Sequence, residues 1–212
     1  MIEFALIAPI LLALMLGVSD LAPSLMVRYR FSNAVQSVAD LATQPSRLQA
    51  SDMLGLFSGG ADVLAPFSST NMSLRLTSVA SDGNGHAFVY WSCASGSFAP
   101  TTAQTAVTTL QNGGTIDSIL YRYNTSSGGY NKNGTNTSFI SVEGSLIYTA
   151  PAQFVLKTAQ TMSFINYMTP RLSTYVGFPW DGVAVHVPPP PTTVKTIKSM
   201  TLSNGAVCSY LG

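Results

Sequence analysis

The sequence is short of charge. Of its 212 residues, 9% are charged and 46% are hydrophobic, and the formal net charge is +1, whereas globular proteins carry about 25% charged residues. A nearly neutral chain without a basic run or interleaved basic and aromatic residues does not favour nucleic-acid binding, and we expect no such partner. Ser, Thr, Asn and Gly must supply the surface polarity, a composition suited to a packed, neutral extracellular assembly.

Residue types that carry catalysis or bind metals are also scarce. The two glutamates are Glu3 and Glu143, and neither His86 nor His186 stands beside a carboxylate or a cysteine. The chain has no metal-ligand spacing, no nucleophile elbow and no Gly-rich nucleotide motif. We therefore predict no enzyme, no cofactor and no metal site, although scattered residues could still meet in the fold.

Cysteine is limited to Cys93 and Cys208, which lie far apart in the sequence. Two cysteines in an exported chain favour one disulfide. Two buried free thiols are the alternative.

A long uncharged run opens the chain. No charge occurs between Glu3 and Asp20, and none occurs again before Arg28, so the run is long enough to cross a bilayer as a helix. A secretory signal peptide would need a basic start and a small-residue cleavage site, and neither is present. Taken alone, Arg28 and Arg30 would place the bulk of the chain in the cytoplasm.

The helix is predicted to continue beyond this run. Apolar residues recur at helical spacing among polar ones: Phe31, Val35, Val38 and Ala42. Pro9 and Pro23 each remove an amide donor and should bend the helix, and Pro45 should end it. A helix over residues 1–43 is on the order of 65 Å long, so its second half should support a globular head. A membrane anchor followed by a separate helix is the alternative.

The start of the chain carries a family resemblance. The stretch Glu3-Phe4-Ala5-Leu6-Ile7-Ala8-Pro9-Ile10-Leu11-Leu12, followed by Gly17 and Asp20, resembles the N-terminal segment of TadE/TadG-like pilin proteins. These belong to the tight-adherence branch of the type IV pilus superfamily. The resemblance is specific over residues 1–43.

This resemblance implies a structural role. The expected function is a pilin-like subunit of an extracellular filament, assembled with itself or with other pilins through its N-terminal helix, with the head exposed for surface adhesion. In the family, a basic leader holds the cytoplasmic side and a prepilin peptidase removes it near a glutamate, so the remainder faces outward. The implied partners are the inner membrane before assembly, the prepilin peptidase and the pilus-assembly machinery, and the implied location is the filament or cell surface. The alternative is a membrane-anchored extracellular binding module, or an assembly factor that does not polymerise.

The residues expected to serve assembly are Glu3, Phe4, Pro9, Leu12, Leu16 and Asp20. A carboxylate among apolar helices is costly unless it is paired. The resemblance implies that Glu3 meets the N-terminal amine of a neighbouring subunit; alternatively, it sits at the membrane interface in the first helical turn, where the helix dipole favours it. Asp20 is either a polar contact between subunits or the point where the helix leaves the bilayer.

The predicted fold class is α+β, with the long helix followed by a β-rich head and short helices. Residues 46–67 are helical in pattern, but Gly59-Gly60 lies in their middle, which favours two short helices or a helical hairpin. Residues 100–112 carry apolar residues at helical spacing before Gly113, which predicts a short helix.

Alternation of apolar and polar residues predicts the strands. Residues 72–77 and 87–93 flank a turn at 81–85 and form a hairpin. Further strands are expected over 116–123, 139–148 and 158–168, and a short apolar stretch covers 183–187. The polar stretch 124–138 should be an exposed loop, either simply solvated or a surface for adhesion or glycans.

The C-terminus reads as a stiff segment and a hairpin. Pro188 to Pro191 forces polyproline geometry, and β-rich runs over 194–202 and 206–211 flank Ser203-Asn204-Gly205. A bridge from Cys208 to Cys93 would join this hairpin to the first one; if residues 188–212 instead reach a neighbouring subunit, the bridge would link chains. The expected organisation is therefore a helix over 1–44, a head over 45–187 and a Pro-rich spacer with a hairpin over 188–212.

Overall fold

The structure is a computed structural model that describes residues 2–81, 87–107, 123–124, 129–130, 138–172, 176–178 and 196–211. These ranges contain two helices, α1 (Ile2–Thr43) and α2 (Ala50–Leu64). They also contain the strands β1 (Met72–Ser81), β2 (Ala87–Ser95), β3 (Tyr123–Asn124), β4 (Gly129–Tyr130), β5 (Ser138–Tyr148), β6 (Gln160–Met168), β7 (Ile197–Thr201) and β8 (Val207–Leu211). The predicted α+β class, with a long N-terminal helix before a β-rich head, is confirmed.

Six of these strands form one antiparallel sheet in the order β6-β5-β1-β2-β8-β7. The alternating stretches predicted as strands correspond to β1, β2, β5 and β6, and β7 and β8 form the predicted C-terminal hairpin. At its turn the Leu202 N–H donates to the Ala206 carbonyl at 2.8 Å, and Gly205 has φ +82°. Glycine adopts this left-handed conformation without a steric cost, which explains why the turn ends on it.

The second half of α1 is the core of the head. It buries one stripe of side chains, each at most 1% exposed: Val27, Phe31, Val35, Val38 and Ala42. The Phe31 ring meets the Phe164 ring of β6 edge-on, with 5.6 Å between centroids. Full burial of such a side chain contributes about 1.5–3 kcal/mol. The predicted single helix is confirmed, since α1 passes Pro9 and Pro23 without ending and stops before Pro45.

Helix α2 corrects one prediction. It runs through Gly59 and Gly60 without a break, so the expected pair of short helices is wrong. Gly60 is buried, and a Cβ there would lie 2.9 Å from Val38 Cγ2 and 3.0 Å from Leu74 Cδ1. The glycine lets α2 approach α1 and β1 closely, and this packing outweighs its low helix propensity.

The segment after β2 corrects another. Residues 100–107, the described part of the helix predicted over 100–112, contain no helix and run beside β2. The Gln104 N–H donates to the Val89 carbonyl at 2.8 Å, and the Val89 N–H donates to the Thr105 carbonyl at 2.9 Å. Strand β8 pairs with the later part of β2, so these bonds satisfy backbone groups at its start. An open strand edge decides the local structure here, because buried backbone groups need partners.

Several predictions lie outside the described residues. They are the turn after Ser81, the strand over 116–123 except for Tyr123, most of the polar stretch 124–138, the apolar stretch 183–187 and the polyproline segment 188–191. His86 and His186 also lie outside the described residues.

Candidate functional site, the apolar helix and its junction with the head

The first half of α1 leaves most of its apolar side chains exposed. The large ones among them, from residue 7 to residue 26, are 47–74% exposed: Ile7, Ile10, Leu11, Leu12, Leu14, Met15, Val18, Leu21, Leu25 and Met26. Since successive helical residues point about 100° apart, these ten side chains cover about 200° of the circumference. The exposed Pro9 and Ala13 lie on the remaining side, together with Asp20. In the part of the chain that the structure describes, one helix, over Ile7–Thr43, is long and apolar enough to cross a membrane. A helix that is apolar all round is typically enclosed by protein or lipid.

Three of the six residues predicted to serve assembly have described side chains among these apolar residues. Pro9 and Leu12 are exposed and Leu16 is half-buried. Glu3 and Phe4 belong to the backbone of α1, but their side chains lie outside what the structure describes. Their predicted roles therefore stay predictions.

Asp20 stands apart from its neighbours. Asp20 is fully buried, with 0% exposure, whereas the other residues from 7 to 26 are exposed or half-buried. Its Oδ2 accepts a hydrogen bond of 2.7 Å from the Val155 N–H and one of 3.4 Å from the Leu156 N–H. Its Oδ1 is buried and bonds to no described residue. The head therefore contacts α1 about two helical turns before the buried stripe begins at Val27.

Val155 and Leu156 belong to the loop of residues 149–159 that joins β5 to β6. Gln153 in this loop has φ +54°, a left-handed conformation that is uncommon for a residue with a side chain. We call residues 149–159 the β5–β6 loop. Its contact with Asp20 spans 135 positions of sequence and joins the head to the apolar part of the helix.

Sequence reasoning did not find this contact. The two roles considered for Asp20 were a contact between subunits and an exit from the bilayer, and neither named a partner in the same chain. An isolated acid in an apolar run was a signal that Asp20 needs a partner. The partners are backbone amides, which every residue except proline carries, so no residue type could point to them.

Tyr148, at the end of β5, lies beside this junction. Burial raises the pKa of the Tyr148 phenol above its ordinary value, and the negative charge of Asp20 raises it further. Both effects oppose the phenolate, so the ring stays neutral well above physiological pH.

Arg28 and Arg30, the first charged residues after Asp20, contact aromatic rings of the head. The Arg28 guanidinium lies over the Phe164 ring, 5.8 Å from its centroid, and the Arg30 guanidinium lies 5.9 Å from the Phe67 centroid. The apolar part of α1 therefore ends where its charged side chains begin to contact aromatic rings of the head.

The two cysteines face each other on neighbouring strands. Cys93 of β2 and Cys208 of β8 are register partners, both fully buried, and their sulfurs form a disulfide within one chain. The β7–β8 hairpin is thereby covalently joined to the β1–β2 hairpin, as the internal-bridge alternative predicts.

Charged groups elsewhere serve the sheet. Arg75 Nε donates to Glu143 Oε2 at 2.8 Å across β1 and β5, and the guanidinium lies 5.3 Å from the Phe98 ring centroid. Within the described ranges, no group of three or more His, Cys, Asp and Glu side chains comes together as metal ligands would. The apolar half of α1 and its junction with the head are therefore the candidate functional site.

Comparison with known proteins also identifies the N-terminal helix. Residues 1–40 match the family model described as TadE-like protein. No curated protein and no solved structure matches the chain. The matched residues comprise the exposed apolar half of α1, the Asp20 junction and most of the buried stripe. The N-terminal helix is therefore TadE-like, which confirms the resemblance seen in the sequence and connects the chain with the tight-adherence (Tad) pilus family.

Proposed function

We propose that this chain is a pilin-like structural subunit, inserted in the membrane through the first half of α1 and assembled by packing that half against the helices of other subunits. The observation that carries the proposal is the contrast within α1. One face of residues 27–43 is packed into the head, while residues 7–26 leave most of their apolar side chains exposed. The head folds around one end of the helix and leaves the other end for lipid or for other subunits.

The exposed apolar surface is large compared with the stability of a protein. Ten large side chains lie on it, and covering the exposed part of each contributes roughly 1 kcal/mol or more, on the order of 10 kcal/mol in total. This is comparable with the whole stability of a typical domain, about 5–15 kcal/mol. Such a surface favours lipid before assembly and neighbouring helices afterwards.

The TadE-like match supports the pilus context. In this proposal the head faces outward on a filament or cell surface, where it is available for adhesion. The prepilin peptidase and the assembly machinery act on the N-terminal segment, and the role is structural rather than enzymatic.

The test replaces Leu12 and Leu16 by Asp. An acidic residue in the middle of a membrane helix costs about 2.5–3.5 kcal/mol, so we expect the variant to lose membrane insertion and incorporation into filaments. The near-ultraviolet circular dichroism of the head should stay unchanged, because both sites lie outside its core. Leu172→Asp, at a 77% exposed apolar residue of the head, is the matched control and should assemble normally. Normal filaments from the double variant would contradict the proposal.

A second measurement separates a filament subunit from an anchored module. Purified surface appendages should contain the chain as a stoichiometric component. Its recovery in membranes alone would support the binding module or assembly factor instead.

Glu3→Ala should reduce incorporation into filaments far more than it reduces the thermal stability of the head. An equal loss in both would assign Glu3 to folding.

A further inference from the structure

The β5–β6 loop is fixed at a defined height along α1. Two of its backbone amides bond to the Asp20 carboxylate, and Asp20 is fully buried beneath it. The loop therefore lies beside the apolar run of the helix and not beside the stripe that packs in the head.

The side chains at the tip of this loop are apolar and uncovered. Phe154 and Val155 are adjacent, and they are 54% and 52% exposed. Single exposed apolar residues are common on protein surfaces. Here two such residues stand at the level of Leu21, which is itself exposed on the helix, and Lys157 is exposed in the same loop.

The length of the apolar run sets the position of a membrane around α1. The uncharged residues between Glu3 and Asp20 number sixteen, residues 4–19, and span about 24 Å as a helix. A hydrocarbon layer is about 30 Å thick and needs about 20 helical residues. With Glu3 at one face of the layer, the other face falls near residue 23, beyond Asp20.

A carboxylate at this depth would be costly if lipid surrounded it. The loop lowers that cost, since two of its amides bond to Asp20 Oδ2 and its chain covers the carboxylate. The same coverage brings Phe154 and Val155 to the boundary between hydrocarbon and headgroups, where aromatic and apolar side chains are stable.

We infer that the β5–β6 loop is a membrane-contacting element: Phe154 and Val155 insert into the outer interfacial layer of the bilayer that α1 crosses. Lys157 lies among the headgroups, where an anionic lipid favours it. The head is thus held at two places, by the helix and by the loop, which restricts its orientation before assembly. This inference rests on the proposed insertion of α1.

The experiment measures quenching of tryptophan fluorescence by brominated lipid. The full chain carrying Phe154→Trp is placed in vesicles of phosphatidylcholine and phosphatidylglycerol, with and without bromine on the acyl chains. The unsubstituted protein gives the background of its own tryptophans. We expect the Phe154→Trp variant to lose more fluorescence in brominated vesicles than the unsubstituted protein does.

Leu172→Trp is the matched control on the head. Leu172 is 77% exposed and follows Arg171, whose N–H donates to the Thr43 carbonyl at 3.1 Å and whose guanidinium pairs with Asp40. Asp40 lies about 30 Å beyond Asp20 along the helix. This variant should show no quenching beyond the background.

Leu12→Trp separates failure of this inference from failure of the proposed function. Quenching at position 12 without quenching at position 154 would show an inserted helix and overturn the loop contact alone. No quenching at position 12 would overturn insertion itself. A further outcome is that brominated lipid leaves the fluorescence of the tryptophan at position 154 unchanged while protection from an aqueous quencher increases with the protein-to-lipid ratio. In that case a second copy of the chain covers the loop, and the inference is wrong.

Discussion

Gly59 and Gly60 are adjacent in α2 but meet different surroundings, and this predicts opposite effects for the same substitution. A Cβ at Gly59 would meet nothing within 4 Å, whereas a Cβ at Gly60 would lie 2.9 Å from Val38 Cγ2 and 3.0 Å from Leu74 Cδ1. Val38 is β-branched and lies in a helix, where its side chain has essentially one rotamer. It cannot turn away to admit a methyl group.

The magnitudes follow from these contacts. Replacing an interior helical glycine with alanine contributes about 0.8–1 kcal/mol to helix stability, and Gly59→Ala should receive all of it. Gly60→Ala receives the same contribution but overpacks the core, which costs about 1–3 kcal/mol. The two variants should therefore differ by about 1–3 kcal/mol, with Gly59→Ala the more stable.

Thermal unfolding of the full chain in detergent micelles measures this difference. The near-ultraviolet signal of Trp91, which is fully buried in the head, separates the head from the micelle-bound part of α1. For a protein of this size, each kcal/mol shifts the Tm by about 2–4 °C, so Gly59→Ala should melt above the parent protein. Equal gains from Gly59→Ala and Gly60→Ala would refute the close approach of α2 to α1 and β1.

Three further predictions use the same protein. Gly144→Ala should destabilise the head by about 1–3 kcal/mol, because its Cβ would lie 2.6 Å from Val35 Cγ2; an unchanged Tm would contradict the packing of α1 on β5. The chain should run as a monomer on non-reducing gels and shift on reduction, and opening the Cys93–Cys208 bridge, at a separation of 115 residues, should remove up to about 4.7 kcal/mol; a ladder of oligomers would indicate bridges between chains. Because the pKa of Tyr148 is raised in the folded protein, the phenol of the unfolded chain ionises at lower pH than that of the folded chain. The free energy of unfolding should therefore fall as pH rises from about 10 through the folded pKa. Tyr148→Phe should lack this part of the loss, and identical pH profiles of the two proteins would show the reasoning to be wrong.

The sequence by itself determined the elements that depend on local pattern. The uncharged run and the stripe from Phe31 to Ala42 favoured one long helix with two different halves over an anchor followed by a separate helix, because the residues of the stripe recur at helical spacing on one face. Alternation with period two located the strands in the described part of the sheet. The bridge between Cys93 and Cys208 was proposed because these are the two cysteines of a chain expected to be exported and both fall on predicted strands, with free thiols and a bridge between chains as the alternatives.

The tertiary structure decided what depends on contacts between distant segments. Gly60 supports an unbroken helix because Val38 and Leu74 approach it, and neither residue is near it in sequence. Residues 104–107 run beside β2 because part of that strand is left open by β8.

Asp20 shows the same division most clearly. The sequence marked it as an acid in an apolar run, and therefore as a residue in need of a partner. Its partners are main-chain amides 135 and 136 positions away, and main-chain groups are the same for nearly every residue type. Only the folded chain, which brings the β5–β6 loop against α1, decides which amides meet the carboxylate.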